Sequence, residues 1–257
     1  MLSRLLRSVG TASVGVAALV LAASLAQASF AAEPPPYFPT QLSHVGDSRQ
    51  VIVVTSPSWT APRGTLRAYE KADGHWRLVV SATPADLGWS GMAGASARLQ
   101  DTGKTPAGTF RIPYAFGRLA NPGTGLPYRQ FDRDDAWTYS PTRPSTYNVL
   151  QTAPVSWTSY GDDVEILWRH GAQYRYAAVL DYNLPSGISR GADGIRRAAH
   201  PADTRKGGGI FLHVSDGSAT AGCIAVPEPT MRRLLDWLDP AQHPVLVAGP
   251  IGAIGHM

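Results

Sequence analysis

The chain has 257 residues, of which 44% are hydrophobic and only 16% charged, with 26 glycines and 21 prolines spread along its length. This composition fits a turn-rich globular β protein and excludes a disordered chain. The formal charge of +4 includes Arg4 and Arg7 near the start, and the remaining basic residues form no run, so no nucleic-acid partner is expected.

Arg4 and Arg7 precede an apolar stretch, Thr11 to Leu25, that closes on Ala26-Gln27-Ala28. A basic head, an apolar centre and a small-residue cleavage site predict an export signal over residues 1–28, removed in the mature protein. The stretch is interrupted by Gly15 and Ser24 and is shorter than the ~20 apolar residues of a spanning helix, and no later segment approaches that length. The expected destination is the periplasm, the cell wall or the extracellular space, with no membrane attachment after cleavage. Residues 29–47, with Pro34-Pro35-Pro36 and Pro39, read as an extended leader, residues 48–250 as one domain, and residues 251–257 as a tail.

Strand signals begin with the β-branched run Gln50 to Val54, followed by a hairpin, Thr65 to Glu70 and Trp76 to Ser81, around the turn triplet Ala72-Asp73-Gly74. Further strands are expected at Thr109 to Ile112, Val164 to Trp168, Tyr176 to Asp181, Gly209 to Val214 and Val245 to Ala248. Between them, Gly117 to Tyr147 and Leu184 to Gly208 read as long loops, a length more often functional than idle; the tryptophans read as core or cleft wall, with a lid as the alternative for Trp137 in the first loop. Arg190, Arg196 and Arg197 in the second read as solvated charge, with carboxylate binding as the alternative. One helix is predicted from Pro229, where Met231, Leu234, Leu235 and Leu238 share a face and Asp239-Pro240 ends the pattern.

Cys223 is the only cysteine, so an exported chain has no intramolecular disulfide to explain it. The commonest fate of such a residue is a small buried hydrophobe. Its neighbourhood points elsewhere. The strand ending at His213 is followed by a small polar loop, Ser215 to Ala221, and then by Gly222-Cys223. A loop that doubles back brings the imidazole to the thiol as a proton acceptor, and an adjacent imidazolium would hold the sulfur ionised. Gly222 has no side chain to obstruct the turn, which leaves the backbone N–H of Cys223 to face a developing oxyanion. With no HExxH, no CxxC and no second histidine close by, no metal site is expected; without SxxK, GxSxG or a P-loop, serine and nucleotide chemistry lose their signatures.

The stretch Ile210-Phe211-Leu212-His213, through Thr220-Ala221-Gly222-Cys223-Ile224-Ala225-Val226, to Leu234-Leu235-Asp236-Trp237-Leu238 resembles the catalytic motif of the L,D-transpeptidase (YkuD-type) family, in the divergent branch with a short His-to-Cys loop. Lys104-Thr105-Pro106-Ala107-Gly108-Thr109-Phe110, Tyr147-Asn148, Tyr182-Asn183 and Gly88 to Gly94 resemble its upstream elements. Ala221 and Ala225 stand where the commoner pattern has a second histidine and an arginine. The resemblance implies a mainly β fold, a sandwich of mixed sheets with long loops and one helix after the cysteine. It also implies acyl transfer by Cys223 and His213, with Gly222 at the turn, on peptidoglycan stem peptides, without metal or other cofactor, and acylation by carbapenems. Tyr182, Asn183 and Thr220 are the implied substrate contacts, and the third member of the triad falls among Val214, Ser215 and Ser218. Transfer to a second stem giving a 3→3 crosslink, hydrolysis by a carboxypeptidase or amidase, and a wall-binding module without activity all stay open, as does the oligomeric state.

Overall fold

A computed structural model describes residues 38–152 and 156–257; the predicted signal and Pro34-Pro35-Pro36 lie outside the described residues. In chain order the strands are β1 (Gln50–Ser56), β2 (Arg63–Ala72), β3 (His75–Asp86), β4 (Met92–Gly94), β5 (Thr105–Arg111), β6 (Ala115–Gly117), β7 (Tyr128–Gln130) and β8 (Ala136–Thr138). They continue as β9 (Val149–Gln151), β10 (Val164–Ile166), β11 (Ala177–Val179), β12 (Ser186–Arg190), β13 (Arg196–His200), β14 (Phe211–Val214), β15 (Ile224–Val226) and β16 (Val245–Pro250), with helix α1 (Glu228–Trp237) between the last two. Eleven of them form one mixed sheet in the order β4-β5-β16-β1-β2-β3-β15-β14-β11-β6-β7, while β10-β8-β9 form a small second sheet and β12-β13 a hairpin.

The β-branched run is β1, buried along its whole length because it lies between parallel β16 and antiparallel β2. Asp73 and Gly74 join β2 to β3 with φ of 51° and 79°, the positive values that a two-residue hairpin of matching twist demands. Ile52, Val54, Leu66 and Leu246 from one half of the large sheet meet Leu212, Val214, Ile224 and Val226 from the other in a single core. Met231, Leu234, Leu235 and Leu238 of the helical stripe enter the same core, so the fold is a β-sandwich closed by α1.

Parallel β14 and β15 pair Leu212 with Ile224, His213 with Ala225 and Val214 with Val226. Because strand side chains alternate, the residues on the other face are Phe211, His213, Cys223 and Ala225. There a second, aromatic core forms from Phe116, Trp137, Tyr174 and Phe211, with Trp137 to Phe211 centroids at 4.7 Å and Phe116 to Phe211 at 5.1 Å. Each such ring pair adds about 0.5–1.5 kcal/mol beyond its buried area. The small sheet is therefore fastened over the face that carries His213 and Cys223.

Several expectations are corrected. The long loop Gly117 to Tyr147 contains β7 and β8, and Leu184 to Gly208 contains the β12-β13 hairpin. Trp137 is a fully buried core residue whose indole donates to Asn148, not a lid. The strand expected through Trp168 stops at Ile166, and Leu167–His170 is a 3-10 turn. Among the described residues no helix is long and apolar enough to cross a membrane.

Residues 38–47 and 251–257, predicted as leader and tail, cover the outer face of β1, β2 and β16, where Leu42 and Ile254 pack with Val51, Val53, Tyr69 and Val247. The Ser43 N–H donates to the Gly255 carbonyl at 3.1 Å, and His44 Nδ1 lies 2.9 Å from the Met257 carbonyl. Truncating the fully buried Ile254 to alanine is expected to lower the unfolding free energy by about 2–4 kcal/mol in urea titrations. A loss below about 0.5 kcal/mol, typical of surface changes, would contradict this packing.

Candidate active site

The turn that presents Cys223 is held from several sides. Gly222 has φ +142°, and a Cβ at this position would lie 2.9 Å from both the Lys104 carbonyl oxygen and Arg98 Nη2, so a side chain fits neither the conformation nor the space. The Thr220 hydroxyl accepts from the Gly222 N–H at 3.1 Å and donates to the Cys223 carbonyl at 2.7 Å. The Thr220 N–H also donates to the Leu87 carbonyl at 2.8 Å, and its carbonyl accepts from the Trp89 N–H at 2.9 Å. The Cys223 thiol points at the Gly209 carbonyl, 3.2 Å away, and its sulfur receives the Phe211 N–H at 3.4 Å. Among the described residues the N–H of Cys223 has no hydrogen-bond partner.

Cys223 is half-buried at a cavity of about 420 Å³ whose wall includes Trp89, Arg98, Tyr147, Glu165 and Tyr174. Glu165 accepts hydrogen bonds from the Tyr139 and Tyr174 hydroxyls, both at 2.7 Å. Burial first, and the Glu165 carboxylate second, push both tyrosines well above their ordinary range, so they stay protonated donors. Asn148 ties the cavity to its support: its Oδ1 accepts from the Trp137 indole and the Gly209 N–H, both at 2.8 Å, and its Nδ2 donates to the Asn183 carbonyl at 2.7 Å.

His213 is 5% exposed, with the Tyr174 ring edge-on at 5.5 Å. Its Nδ1 lies 2.8 Å from the Val214 carbonyl. A carbonyl only accepts, so this contact places the proton on Nδ1 and leaves Nε2 with a free lone pair. His213 pairs with Ala225, two residues after Cys223, so the two side chains share one sheet face. No hydrogen bond joins them among the described residues.

Burial pushes the His213 pKa down to about 4, against the opposing influence of the Val214 carbonyl. Burial likewise pushes the Cys223 thiol up to about 12, while the Phe211 N–H acts the other way. Both groups are therefore neutral near neutrality, which replaces the expected imidazolium and thiolate with a neutral imidazole and a neutral thiol, of which only the thiol lines the cavity.

Of the three expected triad partners, only the Val214 carbonyl touches the imidazole. The Ser215 hydroxyl is bound to the Asp86 carboxylate, which also pairs with Arg63, and Ser218 is exposed with its N–H on Asp216. Tyr182, Asn183 and Thr220 lie outside the cavity wall. Tyr182 donates to the Lys206 carbonyl, and Asn183 is spent on the backbone of Asp203 and Gly207, so both brace the loop entering β14. Arg190, Arg196 and Arg197 are also outside it, bonded to Gly194, Leu150 and Asp193. The wall residues Arg98, Tyr139, Glu165 and Tyr174 carry no local signal, since they come from separate segments and only the fold assembles them.

The depressed His213 pKa has a consequence for stability. An unfolded-state histidine, near 6.5, takes a proton before the folded one does, so the folded state loses ground as pH falls from about 6.5 and has lost the full amount below about pH 4. The loss is expected to approach about 3 kcal/mol and to be absent in His213→Gln, as read from urea unfolding across that range. Identical pH profiles for the two proteins would contradict a neutral, buried imidazole.

The profile of the YkuD family, described as the L,D-transpeptidase catalytic domain, matches residues 49–247. No curated protein matches the chain. Among solved structures it is similar to Bd1075 of Bdellovibrio bacteriovorus, at 16% identity and a TM-score of 0.38, covering 78% of this chain and 47% of that one. It is also similar to the helical cell shape determining protein Pgp2 of Campylobacter jejuni, at 16% identity and a TM-score of 0.36, covering 82% of this chain and 55% of that one. The chain thus spans about half the length of these structures. On the extent of the family match, the chain belongs to the YkuD family of L,D-transpeptidase catalytic domains, cysteine-dependent transpeptidases that act on peptidoglycan.

Proposed function

We propose that the protein is an exported peptidoglycan L,D-transpeptidase that works through Cys223 and His213. The observation that carries this reading is the Nδ1 contact of His213 with the Val214 carbonyl, which keeps Nε2 free as a base on the sheet face that bears the thiol. His213 Nε2 takes the thiol proton as the sulfur attacks the carbonyl of the L-centre of diaminopimelate in a tetrapeptide stem. The oxyanion is met by the unengaged N–H of Cys223. The C–N bond then breaks, the proton passes from His213 to the departing D-alanine amine, and a thioester remains. A side-chain amine of a second stem attacks that thioester, the sulfur leaves and recovers a proton through His213, and the product is a 3→3 crosslink. The half-exposed Trp89 at the rim offers an apolar platform to the incoming stem.

The neutral pair fits this sequence of steps. A thiol at about 12 is not ionised in advance, so proton removal and attack occur together, and a base of about 4 is unprotonated over the whole neutral range. Activity is expected to be flat through neutrality and to fall only as pH approaches 4.

Digestion of purified tetrapeptide muropeptides tests the reading. The intact site is expected to yield dimers and free D-alanine, Cys223→Ala to yield neither, and His213→Gln to be slowed by about 10²–10⁴-fold. A carbapenem mass adduct is expected with the intact protein and not with Cys223→Ala. Shortened monomers in place of dimers would make water the acceptor, and dimers formed by Cys223→Ala would remove the thiol from the reaction.

A further inference from the structure

Arg98 is a buried cation that lacks an anion. It is 4% exposed, and among the described residues no carboxylate lies within ion-pair distance of it. Its Nε donates to the Lys104 carbonyl at 3.0 Å and its Nη1 to the Lys206 carbonyl at 2.6 Å, and the Tyr182 ring lies 5.7 Å below the guanidinium. A guanidinium carries five N–H donors, so two neutral carbonyls leave part of the fork unused. The guanidinium also reaches the Tyr182 hydroxyl, and the rest of the fork meets no acceptor among the described residues. Nη2 lies beside Gly222, 2.9 Å from where a Cβ would be, and Arg98 lines the same cavity as Cys223.

Burying a charge without a counter-charge costs stability unless a ligand supplies the missing partner. We propose that Arg98 is the binding site for the free carboxylate of the C-terminal residue that the enzyme releases, and so sets its specificity for peptides ending one residue beyond the attacked carbonyl. This rests on the reading of the cavity as a stem-peptide site. The position is consistent with the chemistry: a carboxylate one residue past the attacked carbonyl must lie within a few bonds of the sulfur, and Arg98 Nη2 flanks the residue before Cys223. A planar carboxylate takes two parallel N–H donors, which the unused part of the fork provides. Ala225, buried and paired with Asp86 in the sheet, brings no cation to this cavity, and Arg190, Arg196 and Arg197 lie outside it. The cavity also carries Asp101, Asp163 and Glu165, where burial and the other two carboxylates hold Asp163 above its usual range. A cavity with one cation and an acidic wall favours a ligand with both a carboxylate and an ammonium group, as a diaminopimelate-containing stem has, over a simple polyanion.

The test compares the tetrapeptide L-Ala-γ-D-Glu-diaminopimelate-D-Ala with its C-terminal carboxamide. Binding is measured calorimetrically on the full chain carrying Cys223→Ala, with Arg98 intact, with Arg98→Gln and with Arg98→Lys. With Arg98 intact, the acid is expected to bind about 10–100-fold more tightly than the amide. Arg98→Gln is expected to erase that preference by weakening the acid alone, and Arg98→Lys to restore part of it. The acid-to-amide ratio on the Arg98 protein needs no variant to fold. Equal binding of acid and amide there, or equal weakening of both by Arg98→Gln and Arg98→Lys, would overturn the assignment and leave Arg98 as a brace or an oxyanion contact. Turnover by the Cys223 protein separates the two readings. Carboxylate-dependent binding without turnover refutes acyl transfer and keeps Arg98, whereas equal turnover of acid and amide does the reverse.

Discussion

The short contact between His213 and its own neighbour, the Val214 carbonyl, governs what the rest of the site can do. A buried imidazole has two nitrogens and a single proton to place, and a carbonyl that only accepts decides the placement. Burial against the aromatic core and the Tyr174 ring favours the neutral form. The bond to Val214 and the Asp216 carboxylate favour the cation, but burial outweighs both and the pKa settles at about 4. A tautomer chosen by backbone does not depend on any side chain that might rotate away.

The cysteine is restrained by equally local means. Gly222 accepts a φ that a side chain would strain, Thr220 clamps the turn on both sides, and the sulfur rests between a backbone donor and a backbone acceptor. Burial favours the thiol over the thiolate although the Phe211 N–H acts the other way, so the proposed attack by Cys223 depends on a base at that moment and not on a standing negative charge. A thiol held protonated until attack is less open to oxidation than a standing thiolate. The cavity wall adds a second electrostatic layer. Glu165 is satisfied by two tyrosine hydroxyls, while Arg98 is satisfied only in part.

The parts of this design that were legible in the sequence are those written in one continuous segment. The run that becomes β1 is apolar throughout because a central strand is buried on both faces, and α1 shows its stripe because a helix on a sheet buries one side. His213, Gly222 and Cys223 lie close enough along the chain for their spacing to be read directly, and strand alternation then explains why the first and last share a face. Three-residue strands such as β7 and β8 have too few residues to display a period, so the sequence leaves Trp137 between core and lid, and only the fold puts it in the core. Arg98 and Glu165 were invisible for a different reason: each acquires its meaning only when separate loops and strands close around one cavity. Tyr182 and Asn183 hydrogen-bond the loop entering β14, and a motif by itself does not distinguish contact with a ligand from support of the loop behind it.

The account stands or falls on the protonation state of one ring. Nitrogen-15 NMR of histidine-labelled protein, with His213 assigned by its loss in His213→Gln, reads both nitrogens directly. The account requires a neutral ring at neutral pH with the proton on Nδ1, titrating near pH 4. An imidazolium at neutral pH, or a neutral ring protonated on Nε2, would contradict it.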